Sequence, residues 1–183
     1  MIRVIKVGGS LLTWDMLPQK LTGWLSEQPP ALNIMIAGGG PWADLLRDAA
    51  KRFDLSEPSA HAMCVQAMSV TATLLADLLG CECERSFDGL SQRVGNGVLV
   101  FDSQTWLLDG EAQNLPKNWD VTSDSIAARL AMDLQADELV LLKSCDPDSQ
   151  DPASLVASEY VDKFFSKIAS ELPAIRYVNL RDS

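Results

Sequence analysis

Ile2-Arg3-Val4-Ile5-Lys6-Val7-Gly8-Gly9-Ser10 is a β-rich run that stops at two glycines and a hydroxyl, and Leu32-Asn33-Ile34-Met35-Ile36-Ala37 repeats that form ahead of Gly38-Gly39-Gly40. Short apolar runs bounded by turn residues predict buried strands, here each emptying into a glycine turn. Between them, Asp15 to Gln28 carries Met16, Leu17, Leu21, Trp24 and Leu25 at helical spacing, with Pro18 tolerable in the first turn. Pro41 suits the opening of a second helix that runs to about Phe53. The β-α-β-α order predicts an α/β fold, a three-layer αβα sandwich around a mainly parallel central sheet.

Further along, Ser59 to Leu79 reads as one long helix, apolar on most of its circumference and ended by Gly80, which implies burial between neighbours or in an oligomer interface. Gly97 to Phe101 reads as a strand, Thr122 to Leu134 as an amphipathic helix and Leu139 to Leu142 as a strand ending at Lys143. Tyr160 to Leu172 reads as another helix and Ile175 to Val178 as a last strand, with Ser144 to Pro152 the longest loop. A chain of 183 residues favours one domain, residues 1–183. At that size folding removes roughly 70% of the unfolded surface from water, so neither disulfides nor a structural metal is needed for stability.

Charge narrows the function classes. The formal net charge of −10 has the wrong sign for a polyanionic backbone, so nucleic acid is not expected as a partner. The same field repels a nucleotide at long range, so a phosphate site here must rely on local lysines and backbone N–H groups. Cys81 and Cys83 form a C-x-C pair with no second pair to complete a zinc site; with Cys64 and Cys145 they read as reduced thiols. No stretch approaches the ~18 apolar residues of a membrane span, and the N-terminal run stops at Lys6, which together predict a cytoplasmic protein with no membrane partner.

Four motifs can carry chemistry. In Lys6-Val7-Gly8-Gly9-Ser10 the glycines let backbone N–H groups converge on an anion while the lysine approaches from the strand. This is not the G-x-x-x-x-G-K-[ST] loop, since the lysine precedes the glycines, and an ordinary βα turn is the competing reading. Ala37-Gly38-Gly39-Gly40 repeats the turn one unit later, so both flank one crevice at the sheet's C-terminal edge. Val121-Thr122-Ser123-Asp124-Ser125 opens an apolar helix, with Thr122 or Ser123 as N-cap and Asp124 in the first turn. The helix dipole makes that acid worth roughly 0.3 to 1 kcal/mol, whereas a lysine about 4 Å away would contribute nearer ~4 kcal/mol at an effective dielectric of 20. Leu139 to Ser144 supplies a second strand-terminal lysine, Lys143, so Lys6, Lys143 and Asp124 form a set able to neutralise a moving phosphoryl group. Snorkelling edge lysines are the alternative. The single histidine, His61, begins the long helix, and Trp42 and Trp119 flank the second and third motifs, where either could border a ligand.

Taken in order, K-V-G-G-S, A-G-G-G, V-T-S-D-S-I-A-A and L-L-K-S resemble the amino acid kinase superfamily over residues 2 to about 146. His61-Ala62-Met63, Ala67-Met68 and Trp119 to Ser125 resemble its short subgroup linked to methanofuran and tetrahydromethanopterin synthesis. The resemblance implies an amino acid kinase (carbamate kinase-like) fold and transfer of the ATP γ-phosphoryl group to a phosphate or carboxylate, for instance that of aminomethyl-furanmethanol phosphate. Lys6, Asp124 and Lys143 would be catalytic. Gly8, Gly9, Ser10, Ser144 and Asp146 would hold the nucleotide phosphates. Gly38, Gly39, Gly40, His61, Thr122 and Ser123 would contact the acceptor. ATP with nucleotide-carried Mg2+ is the implied cofactor set, with no metal ligands on the chain; the apolar long helix, for its part, leads to the expectation of a homodimer or higher homo-oligomer built on it. Only 40 residues follow Lys143, fewer than the superfamily's usual adenine-enclosing segment. A nucleotide- or oxyanion-binding module of the same fold that performs no transfer is therefore the second reading, and a structural subunit needing a partner the third.

Overall fold

The computed structural model describes residues 1–109, 112 and 115–183. Six parallel strands form one sheet: β1 (Ile2–Val7), β2 (Leu32–Ala37), β3 (Glu82–Glu84), β4 (Gly97–Phe101), β5 (Glu138–Lys143) and β6 (Ile175–Asn179), in the spatial order β3-β4-β2-β1-β5-β6. Helices α1 (Leu17–Ser26), α2 (Gly40–Arg52), α3 (Glu57–Leu79), α4 (Phe87–Ser91), α5 (Gln104–Leu108), α6 (Ser123–Asp133), α7 (Pro152–Ala157) and α8 (Phe165–Ala169) surround it.

Alternation along the strands builds two apolar layers. Val4, Ile34, Ile36, Leu99, Phe101, Leu139 and Leu141 pack with α6 and α8 on one face. Ile5, Val7, Met35, Val100, Val140 and Leu142 pack with Leu17, Leu21 and Trp24 of α1 on the other. Helix α3 serves both layers, through Val65 and Met68 to the first and Ala72, Leu75 and Ala76 to the second. The layered α/β architecture read from the sequence is therefore the one observed.

Three local readings need correction. The helix expected over Tyr160 to Leu172 spans Phe165–Ala169 alone. Its start is fixed by the Asp162 carboxylate, which accepts the Phe165 N–H (3.1 Å), and Pro173 disfavours helical backbone at Leu172. The three-residue strand β3 escaped notice because Glu82-Cys83-Glu84 has no apolar run; it adds to the sheet edge beside β4. The expectation that no stretch approaches span length also fails, since α3 is long and apolar enough to cross a bilayer. Ten of its residues are buried among α2 and the sheet, the packing of a core helix.

Candidate active site

Side-chain parity places the first cluster. Lys6 on β1 pairs with Leu141 on β5, and Lys143 lies two residues further along, so both lysines leave the sheet on the face covered by α6. Asp124, in the first turn of α6, meets them there. Its Oδ1 lies 2.9 Å from Lys6 Nζ, and its Oδ2 accepts a hydrogen bond of 2.9 Å from Lys143 Nζ. Lys6 and Asp124 are each only 4% exposed. Lys143 Nζ also donates to the Tyr160 carbonyl (2.7 Å) and sits 5.0 Å from the centre of the Tyr160 ring.

The electrostatics follow from burial. Burial would raise the Asp124 carboxyl, but Lys6 and Lys143 outweigh it and hold the group below the ordinary carboxylate range. Burial, assisted by Lys6 and opposed by Asp124, brings Lys143 down to about 8. Two ammonium groups against one carboxylate leave one unmatched positive charge in a site largely removed from water.

The two glycine turns touch each other. A Cβ on Gly9 would stand 2.5 Å from Gly40 N, one on Gly38 would stand 2.8 Å from Gly9 N, and Gly40 has φ +55°. The close approach expected of these glycines is thus first of all turn against turn. Gly8 N–H donates to Leu142 O (2.8 Å) and Gly38 N–H to Val7 O (2.9 Å), so these amides extend the sheet and the open part of the first turn begins at Gly9. Because a methyl at Gly9 meets backbone, Gly9→Ala is expected to destabilise the fold by about 1 to 3 kcal/mol, read as a lower midpoint in urea unfolding.

Beside the turns lies a cavity of about 200 Å³. Gly9, Ser10, Gly38, Gly39, Gly40, His61, Thr122 and Ser123, all singled out from the sequence, line it. Ser144 joins them indirectly, its Oγ 2.9 Å from Ser10 Oγ, whereas Asp146 is turned toward β6 and accepts from Asn179 Nδ2 (3.1 Å). Trp119 lines the cavity and Trp42 does not. His61 is 7% exposed and its Nδ1 has no hydrogen-bond partner among the described residues. Burial, with the nearby Lys117 charge, lowers its pKa and favours the neutral ring.

Sequence reasoning missed Asp44 and Arg47 at the cavity mouth, where they pair (2.6 Å) and the Arg47 guanidinium lies 5.9 Å from the Trp119 ring centre. The signal was present: residues 40, 44 and 47 share one stripe of a helix that starts at the glycine turn. The α6 cap also differs from expectation. Thr122 occupies the N-cap position, but its side chain makes no capping bond; the carboxylate of Asp162 takes that role.

No family model matches the chain. It is 22% identical over 149 residues to the [5-(aminomethyl)furan-3-yl]methyl phosphate kinase of Methanocaldococcus jannaschii, a match covering 79% of this chain and 67% of the relative. Among solved structures it resembles uridylate kinase from Archaeoglobus fulgidus (TM-score 0.70, 17% identity, 100% of this chain and 93% of the other). It also resembles UMP kinase from Ureaplasma parvum (TM-score 0.60, 14%, 98% and 90%) and aspartate kinase from Synechocystis (TM-score 0.59, 17%, 97% and 38%). The fold shared with these solved structures is the amino acid kinase fold.

Proposed function

We propose that this chain, acting as one domain, is a kinase that moves the γ-phosphoryl group of ATP to an anionic oxygen of a small acceptor, a phosphate or carboxylate. The observation that carries the reading is one buried carboxylate holding two lysines at 2.9 Å, beside two glycine turns and a ligand-sized cavity. An acceptor oxygen attacks the γ-phosphorus as the bond to the bridging oxygen of ADP breaks. Lys6 and Lys143 neutralise charge on the transferring group, and Asp124 fixes their positions without taking a proton. An ionised acceptor has no proton to lose, so positioning and charge neutralisation suffice. The amides of Gly9 and Ser10 face the donor phosphates.

Among the described residues no group of three or more His, Cys, Asp or Glu side chains could hold a metal ion. Mg2+ would be carried on the nucleotide phosphates with its own waters and would offset their charge. The acceptor we favour is of the kind named for the archaeal relative, an aminomethyl-furanylmethyl phosphate. Met68, Ile126 and Trp119 offer its ring an apolar wall, and Asp44 at the mouth offers its ammonium a carboxylate. Val70 and Leu78, exposed on α3, offer a face for a homodimer.

The test is ADP release from MgATP with [5-(aminomethyl)furan-3-yl]methyl phosphate, UMP and aspartate as acceptors. Turnover with the furan phosphate well above the other two is expected. Nucleotide binding without ADP from any of them would replace this reading by that of a binding module. His61→Ala is expected to raise the KM of the acceptor about 10-fold, the loss of one buried hydrogen bond, with the KM of ATP unchanged.

A further inference from the structure

Asp162 lies outside every motif and receives more hydrogen bonds than any residue named so far. Its Oδ2 accepts from Thr122 N (2.9 Å), Thr122 Oγ1 (2.9 Å) and Ser125 N (3.0 Å), and its Oδ1 accepts from Ser125 Oγ and Phe165 N (3.1 Å). Phe164 N–H reaches back to Asp120 O (2.9 Å), so residues 160 to 165 form a strap laid across residues 120 to 125. A carboxylate at the N-terminus of an eleven-residue helix also satisfies amides that the helix leaves open and opposes its dipole favourably.

Both partners in this contact, the strap and the first turn of α6, reach the lysine cluster. Two residues before Asp162, the Tyr160 carbonyl accepts from Lys143 Nζ; across the strap, the turn of α6 pinned by Asp162 carries Asp124. We propose that Asp162 is a positioning residue that holds Tyr160 and the first turn of α6 at a fixed separation, and so fixes the Lys143 ammonium between the Tyr160 carbonyl and Asp124. The catalytic meaning of that geometry rests on the kinase reading above; the geometry itself does not.

Asp162→Asn is the informative change because the amide keeps the shape and cannot keep the bonds. Backbone N–H groups point at both carboxylate oxygens, Thr122 and Ser125 at one and Phe165 at the other. Whichever way the new amide turns, its NH2 faces a backbone donor that cannot rotate away. The strap should loosen and Lys143 should gain water, and because burial is the largest cause of its lowered pKa, relief of burial outweighs any weakening of its contact with Asp124 and raises that pKa.

Two readouts separate this proposal from the one it rests on. Without any substrate, pH-dependent amine labelling followed by mass spectrometry is expected to place Lys143 near 8 in the parent, and about one pH unit or more higher in a folded Asp162→Asn protein. An unchanged Lys143 titration in that folded variant overturns the proposal, whether or not the protein is a kinase. With MgATP and the furan phosphate, Asp162→Asn is expected to lower kcat about 10- to 100-fold at unchanged KM for ATP. The same substitution should have less than about a twofold effect in a Lys143→Ala background, since it acts through that lysine. Equal losses in the two backgrounds mean general loosening and also overturn it. If the asparagine variant does not fold, Ser125→Ala, which removes one donor and keeps the carboxylate, should shift Lys143 in the same direction by a smaller amount. No shift there counts against the proposal equally.

Discussion

Lys6→Met is expected to lower kcat by about 10²- to 10³-fold while the protein remains folded and still binds MgATP, the loss typical of removing one preorganised donor from a developing charge. Methionine keeps the buried stem of a residue that is 4% exposed, so the sheet does not acquire a cavity. Asp124 does not become an orphaned buried charge either, because Lys143 still donates to it at 2.9 Å. That retained partner distinguishes this variant from ordinary breakage of a buried ion pair, which costs roughly 3 to 5 kcal/mol when one ion is left alone. The decisive comparison is single-turnover rate against nucleotide affinity. A variant that turns over as fast as the parent ends the catalytic reading of the cluster. One that loses ATP affinity in proportion to rate moves Lys6 from transition-state stabilisation to ground-state binding.

How much of this was legible in the sequence depends on how local each signal is. Lys6 and Lys143 could be read because each terminates an apolar run, and period-two alternation then fixes the face on which each emerges. Asp124 could be read because it sits in a polar cluster ahead of an apolar helix; the lysine pairing that the sequence left as a conditional second role beside capping is the one the ion pairs show. Asp162 could not be read. Its partners at the start of α6, Thr122 and Ser125, lie about 40 residues earlier in the chain, and its own segment, Tyr160-Val161-Asp162-Lys163, passes for the start of a helix. An Asp three residues ahead of Phe165 marks at most a local helix start, and nothing in that segment points to the distant α6 turn. The contact of Gly9 with Gly40 was hidden for a related reason: glycine runs announce that something comes close, and only the packed turns say what.

Asp124→Asn is expected to be the most damaging single change, and pH is the variable that exposes why. In the parent, Lys143 is protonated below about 8, so kcat/KM, which reports the free enzyme, should hold its full value at lower pH and fall as pH rises through about 8. The profile of kcat should fall later, because bound phosphates favour the charged lysine. Without the carboxylate two ammonium groups remain buried together, and the cheapest relief is for one to release its proton. The basic limb of kcat/KM is therefore expected to move below 8, with kcat/KM at neutral pH reduced by about 10³-fold or more. Stability follows the same proton. Between about 8 and the ordinary lysine value of 10.5, the unfolded chain binds a proton that folded Lys143 has given up, so this residue makes the parent more stable as pH rises through that window. In Asp124→Asn the window widens toward lower pH, and the loss in stability relative to the parent should be largest where both lysines are still charged and should shrink in alkali. Urea unfolding at several pH values measures this directly. A variant whose kcat/KM limb stays at about 8 and whose stability deficit is the same at every pH would show that Asp124 does not govern the protonation of the pair, and the electrostatic account of the site would fail with it.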